Sequence, residues 1–175
     1  MEEKGRILIF TGDGKGKTTA ALGMALRAHG YGIPISVIQL VKEDTATGEY
    51  AVLTRLSDVT ITVAGRGFVP LQTDPAWQEH RRAAEEGFRV AREAVRSGRY
   101  GLVIIDEGCY AVARGLLPEE EVLQLLAEVP PAVTVVLTGR GATPRLIAAA
   151  DTVSEVLCVK HGFNSGRQAQ KGVEF

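Results

Sequence analysis

Short apolar runs recur along the chain, each followed by a turn segment and then by a stretch with apolar residues at helical spacing. The runs at 7–10, 35–41, 59–63, 100–106, 133–137 and 153–159 read as strands. The segment 17–29 reads as a helix, with Ala20, Ala21, Met24, Ala25 and Ala28 on one face and Gly30 as its stop. Asp74-Pro75 is a helix start signal, and the charged, amphipathic stretch from there to Arg96 reads as one long helix ended by Ser97-Gly98. Further helices are predicted at 52–56, from Pro118 to before Pro130, and from Thr143-Pro144. The polar segment 42–50 reads as a mobile loop, and 161–175 shows no period. Continuous apolar strands alternating with helices predict an α/β fold, a mostly parallel central sheet with helices on both faces and right-handed crossovers.

The length of 175 residues fits a single domain, 1–175. With 45% apolar and 23% charged residues, the chain has the composition of a globular protein and not of a disordered one. A net charge of −1 and few aromatic residues argue against nucleic acid or an anionic membrane as partner. The opening Met-Glu-Glu-Lys-Gly is no secretory signal and no apolar run reaches the length of a membrane span, so a cytoplasmic location is expected. Cys109 and Cys158 fit no metal or redox spacing and are expected as small buried hydrophobes.

The strongest chemical signal lies between the first strand and the first helix: Thr11-Gly12-Asp13-Gly14-Lys15-Gly16-Lys17-Thr18-Thr19. Strand, glycine loop, helix is the context of a phosphate loop. Glycines let the backbone close around anionic oxygens, and the amides at the helix start point at them. Lys17 neutralises phosphate charge and Thr18 is placed to ligate Mg2+. The usual spacing is GxxxxGK[ST]; here Gly12 makes it GxxxGKT, one residue shorter, so the polyphosphate is expected to sit differently than in an ordinary ATPase. Leu102 to Ile105 followed by Asp106 and Glu107 resembles a Walker B strand, with one of the two carboxylates at the metal or its waters. Arg140 follows the strand 133–137 in Thr138-Gly139-Arg140, within reach of a ligand beyond the carboxyl ends of a parallel sheet.

These motifs, in this order, resemble the ATP:corrinoid adenosyltransferases of cobalamin synthesis and salvage. The resemblance rests on GDGKGKTTAA at 12–21, Leu26-Arg27-Ala28, LVIIDEGCY at 102–110, LTGR at 137–140 and ADTVSE at 150–155. It extends to the tail, Lys160-His161-Gly162-Phe163 and Ala169 to Phe175. The resemblance implies a RecA-like P-loop fold, usually a homodimer, that uses Mg2+, ATP and a corrinoid reduced to Co(I), with a reductase or flavodoxin-like electron donor. It implies that cobalt attacks the 5′ carbon of the ribose and that triphosphate leaves, with ATP held in the reverse sense along the loop. Lys17, Thr18, Glu107 and Arg140 then face the triphosphate, and Arg27 contacts the nucleoside end.

Asp13 stands where the family has Asn, and a carboxylate there suits the ribose hydroxyls. Gly65 to Pro70 stands where the family has GxGFTW, so Phe68 is kept to displace the lower cobalt ligand while Pro70 replaces a second aromatic. Family members carry an extension before the first strand; here that strand begins almost at once, and a looser closure over the corrinoid is expected. His29 is expected as a helix-end charge, His80 as solvated, Trp77 as a packing anchor, and Lys160 and His161 as possible substrate or subunit contacts. Two other functions fit the phosphate loop. A RecA-like ATPase would use Glu107 to position water and release ADP, and a non-catalytic carrier or sensor would hold ATP and corrinoid without turnover.

Overall fold

The computed structural model describes residues 4–173. Glu174 and Phe175, the end of the tail motif, lie outside the described residues. Six strands form one sheet: β1 (Arg6–Thr11), β2 (Ile35–Gln39), β3 (Val59–Val63), β4 (Leu102–Asp106), β5 (Thr134–Thr138) and β6 (Thr152–Glu155). Their order is β3-β2-β4-β5-β1-β6, and every pairing is parallel. Parallel neighbours cannot be joined by hairpins, so helices must carry the chain back across the sheet. Six helices intervene: α1 (Lys17–His29), α2 (Gly48–Leu53), α3 (Trp77–Arg96), α4 (Gly108–Ala113), α5 (Glu119–Ala127) and α6 (Pro144–Ala149). This is the α/β architecture of a P-loop nucleotide-binding domain.

Side chains alternate across each strand, and the two faces build two cores. Ile7, Ile9, Ile38, Leu40, Val103, Ile105, Val135 and Leu137 face one way, against α3, α5 and the residues around them. Ile35, Val37, Leu102, Ile104 and Val136 face the other way, against Ala21 and Ala25 of α1 and Leu53 of α2. The central strands β2 and β4 are buried at every position; β4 reads as an apolar run up to Asp106, while β2 carries the buried Ser36 and Gln39 among its apolar residues. α3 turns Trp77, Ala84, Phe88, Ala91 and Val95 inward and keeps ion pairs such as Arg81–Glu85 and Arg89–Glu86 outside. Among the described residues no helix is long and apolar enough to cross a membrane.

β2 ends at Gln39 instead of 41, β4 starts at Leu102 instead of 100, and four elements differ further from the sequence reading. α3 begins at Trp77, because Asp74 Oδ1 accepts from Ala76 N at 2.8 Å and closes an Asx-type turn before the helix. The short helix expected at 52–56 sits at Gly48–Leu53, so it begins within the segment expected as loop, where Thr47 caps it by accepting from Tyr50 N at 3.4 Å. α4 was not anticipated; its six residues follow Glu107 directly. β6 ends at Glu155 instead of 159, since the next residue leaves the sheet to serve the phosphate loop: Gly14 N donates to Val156 O at 2.7 Å.

Gly87 lies in the interior of α3, where alanine ordinarily favours the helix by about 1 kcal/mol. Here a Cβ would come within 2.6 Å of Ala64 Cβ and 2.8 Å of Leu40 Cδ2, so the glycine permits the helix to lie close on the sheet. Gly87→Ala is therefore expected to lower stability, by about 1–3 kcal/mol, in urea unfolding. An increase would show that this contact yields freely.

Candidate functional site

The carboxyl ends of β1, β2, β4 and β5 open into a cleft of about 830 Å³. The phosphate loop forms its floor. Gly12 has φ +95°, and a Cβ there would meet Val156 O at 2.5 Å, so the loop turns tightly against the chain leaving β6. Lys17 is buried at the first turn of α1 and donates to Gly14 O at 2.7 Å, bracing the loop around its own ammonium group. Burial pulls the Lys17 pKa below its usual value; Glu107, Asp13 and Asp106 pull the other way, while Arg140 adds to the lowering.

Asp106 ends β4, nearly inaccessible to solvent at 1% exposure. Its Oδ1 accepts from Thr18 Oγ1 and from Thr138 Oγ1, both at 2.7 Å. Thr138 Oγ1 in turn accepts from Glu107 N at 2.9 Å. The start of α1 and the ends of β4 and β5 are thus tied to one carboxylate. The other oxygen, Oδ2, has no hydrogen-bond partner and lies 3.8 Å from Lys42 Nζ. Lys42 itself donates to Glu49 Oε1 at 2.9 Å, and both residues line the cleft.

Glu107 has φ +62° and ψ +20°, and it is the single non-glycine residue with positive φ among the described residues. A left-handed non-glycine residue costs about 1–3 kcal/mol and persists where the surroundings enforce it. The conformation caps α4 and places the Glu107 side chain on the cleft wall. Burial raises the Glu107 pKa above the usual carboxylate value, helped by the adjacent Asp106; Lys17, Lys42 and Arg140 oppose the rise.

Lys15, Lys17, Lys42 and Arg140 line the cleft, and Asp13, Glu49, Glu107 and the underlying Asp106 offset them. Such near-neutral walls bind a triphosphate well only when a further cation comes with it. The residues fit Mg2+. Among the described residues there is no group of three or more His, Cys, Asp and Glu side chains that could hold a metal alone. Mg2+ seldom uses such a cage; it takes one or two protein oxygens, waters and phosphate oxygens. Thr18 Oγ1 spends its proton on Asp106 and keeps lone pairs for a cation, and Asp106 Oδ2 is an orphan acceptor beside it.

Most of the residues singled out in the sequence converge here. Asp13, Gly14, Lys15, Gly16, Lys17, Thr18, Thr19, Glu107, Arg140 and Phe68 all line the cleft, as does His161. Arg140 Nε stands 3.8 Å from Asp13 Oδ1. Phe68 is 91% exposed on the rim, so it is no core residue. Gly12 shapes the loop without lining the cleft. Arg27 is exposed in the last turn of α1 and is not brought to the cleft. One expectation is corrected: Cys158 is exposed, because β6 ends before it. His29 ends α1 as expected, and its Nδ1 also meets Asp58 Oδ1 at 2.6 Å, across to the turn before β3. Cys109 is buried, and desolvation with Glu107 nearby pushes its thiol up to about 12, which removes it as a nucleophile. Trp77 is buried, the packing anchor expected.

Sequence reasoning missed Lys42, Glu49 and Tyr110 of the cleft wall. Lys42 and Glu49 fell in the segment read as loop, where only Thr47 at a capping position signalled a helix. Tyr110 belongs to the unanticipated α4.

Comparison with known proteins agrees with this geometry. The family model described as ATP:corrinoid adenosyltransferase BtuR/CobO/CobP matches residues 3–175. A protein of Pseudomonas aeruginosa named Corrinoid adenosyltransferase is 41% identical over 175 residues, covering 99% of this chain and 85% of that protein. One of the same name from Escherichia coli K12 is 39% identical over 180 residues, covering 100% of this chain and 88% of that protein. Corrinoid adenosyltransferase CobA of Salmonella typhimurium is 38% identical with the same coverage. With a phosphate loop, an acidic strand end and an open cleft joined in one matching chain, the protein belongs to the ATP:corrinoid adenosyltransferase family.

Proposed function

We propose that this chain transfers the 5′-deoxyadenosyl group of ATP to the Co(I) centre of a corrinoid, in cobalamin synthesis or salvage. The observation that carries the reading is the joining of a compact phosphate loop to Asp106 through Thr18, in a chain matched over nearly its full length by this family. The Co(I) electron pair forms the bond to C5′, the C5′–O5′ bond breaks, and its electrons leave with the triphosphate. The cobalt is the nucleophile, so no side chain has to be one. The leaving group gathers negative charge, and fixed cations in a cleft stabilise it more than mobile ones in water. Lys17 and Arg140 fill this role in our reading, with loop amides from Gly14 to Thr19 around the phosphates. Lys15 and Lys42 add charge to the walls.

Thr18, with Asp106 and Glu107 behind it, would hold Mg2+. When bound, that ion supplies Lewis-acid neutralisation of the phosphate oxygens. Asp13, paired loosely with Arg140 at 3.8 Å, is an acceptor for the ribose hydroxyls. Phe68, exposed at the rim, offers an apolar face to the corrinoid. The reduced cobalt requires an electron donor, a reductase or flavodoxin-like protein, and a homodimer is the family's usual assembly.

The deciding experiment supplies ATP and a chemically reduced Co(I) corrinoid and identifies the products. Intact triphosphate and an alkyl–cobalt bond are expected; ADP and phosphate, formed without corrinoid, would make the protein an ATPase instead.

Glu107 gives a second test. Its raised pKa means that folding favours the protonated carboxyl. That contribution to stability is fully present at acid pH and is lost as pH rises from the ordinary carboxylate range through the raised value. Glu107→Gln is expected to flatten this slope and raise the melting temperature of the nucleotide-free protein at neutral pH, while adenosyl transfer falls about 100-fold. Unchanged turnover would remove Glu107 from the site. Phe68→Ala is expected to raise the corrinoid KM about tenfold, the worth of one buried aromatic contact, and to leave the ATP KM alone in steady-state kinetics. The reverse pattern would place Phe68 against the nucleotide.

A further inference from the structure

Phe68 combines a free side chain with a fixed backbone. Its ring is exposed at the rim, yet the segment around it is tied on both sides. Gly67 N donates to Val41 O at 2.7 Å, just beyond the end of β2. Val69 is buried in the same core as Ala111 and Leu116, in and after α4. Pro70 presents a carbonyl and no N–H, and Arg114 Nη2 donates to that carbonyl at 2.9 Å. Gln72 Nε2 returns the bond, donating to Arg114 O at 3.0 Å. Gly115, with φ +72°, permits that approach: a Cβ there would stand 2.7 Å from Gln72 Nε2. Arg114 follows α4 at its carboxyl end, four residues after Tyr110, and its guanidinium lies over the Tyr110 ring at 5.9 Å. Tyr110 itself lines the cleft. Among the described residues Arg114 makes no ion pair, and its Nε has no hydrogen-bond partner. A guanidinium ordinarily meets a carboxylate; this one is committed to a loop carbonyl and a ring.

We infer that Arg114 is a positioning residue of this site, holding the segment 68–72 against α4 so that Phe68 stands at a set place over the cleft. This rests on the reading of Phe68 as a corrinoid contact. Arg114 is no member of the cleft lining, so it acts through Phe68 and not on a substrate. α4 spans the six residues between Glu107 and Arg114. One short helix thus carries the carboxylate at the phosphate end and the clamp at the mouth. An aromatic anchor contributes most to binding when it is held in place before the ligand arrives, because less freedom is lost on contact. Pro70 serves the same end: its ring fixes its own φ and confines Val69 to extended conformations. Where the family has a second aromatic, this chain has a stiff residue whose carbonyl is clamped. Arginine suits the task better than lysine, since its planar fork can donate to a carbonyl while it lies on a ring.

The test measures steady-state kinetics with ATP and chemically reduced Co(I) cobalamin. It compares wild type with Arg114→Leu, Arg114→Gln, Arg114→Lys, Phe68→Ala and the double variant Phe68→Ala/Arg114→Leu. Leucine removes the donor, and glutamine is too short to reach Pro70 O. Both are expected to raise the corrinoid KM about five- to tenfold and to leave the ATP KM unchanged. Arg114→Lys can still donate to the carbonyl and is expected to stay within about threefold of wild type. In the Phe68→Ala background, Arg114→Leu is expected to add nothing, because a residue that acts through the ring has no effect once the ring is gone. Hydrogen exchange across 67–72 in the substrate-free protein is expected to quicken about tenfold in the leucine and glutamine variants, a reading of the clamp apart from turnover. An unchanged corrinoid KM in a folded variant, an equal rise in both KM values, or a further rise in the double variant would overturn the inference. Phe68→Ala with a wild-type corrinoid KM would remove the reading of Phe68 instead, and this inference with it.

Discussion

One buried carboxylate oxygen organises the nucleotide end of this protein. Asp106 Oδ1 receives hydroxyls from the first turn of α1 and from the end of β5, and it sits at the end of β4. β1 and β4 are not neighbours; β5 lies between them. The phosphate loop is therefore registered to the acidic strand by sheet hydrogen bonds only indirectly, through β5. Thr18 and Thr138 make that registration through side chains. Hydrogen bonds to a charged group contribute about 1.5–3 kcal/mol each, and in a site almost closed to water neither is readily replaced. The chain continues from Thr138 to Glu107 N, so the position of Glu107 also derives from Asp106.

Much of this frame was legible in the sequence, for physical reasons that differ by element. β4 was plain because burial on both faces demands an apolar run, and β2 because Ile35, Val37 and Ile38 keep most of one. α1 was read to its exact ends, since the glycine loop starts it and Gly30 stops it. The boundaries that failed were those where a local bond overrode the pattern. Asp74 spends its side chain on a turn and delays α3, and Val156 gives its carbonyl to Gly14 and shortens β6. In the site, phosphate-loop residues were legible because glycine and lysine at fixed spacing carry their own chemistry. Lys42 and Glu49 were not, because their role comes from a tertiary meeting with Asp106 that no local spacing encodes. The reach of Arg114 to Pro70 was equally invisible, since only the folded chain brings α4 beside that segment.

The loop and its lysine share an economy of charge. Lys17 is desolvated, and its ammonium donates to a carbonyl of its own loop. A phosphate oxygen offers it a better acceptor and opposite charge, so binding offsets the desolvation that depresses its pKa. Across the cleft, Glu107 is in the mirror situation, a carboxylate burdened by burial and by Asp106. Each charge is placed at a cost that the bound polyanion and its cation reduce. Such opposed shifts within one cleft are the mark of a site prepared for a highly charged ligand.

The same opposition bears on which bond is broken. Hydrolysis at the terminal phosphorus calls for a carboxylate free to order and activate water. Glu107 is held in a strained left-handed backbone and faced by Lys17, Lys42 and Arg140, an arrangement that suits charge balance around a polyanion and its cation. Displacement at C5′ by an external nucleophile needs no base; it needs the leaving triphosphate held still and neutralised. Phe68 adds to this. An aromatic ring 91% exposed on the rim of a phosphate-binding cleft serves no hydrolytic step, and it gives a large, partly apolar second substrate a surface to meet. Charge concentrated on the floor and an apolar ring at the mouth describe a cleft that anchors the polyphosphate and presents what lies beyond it for attack.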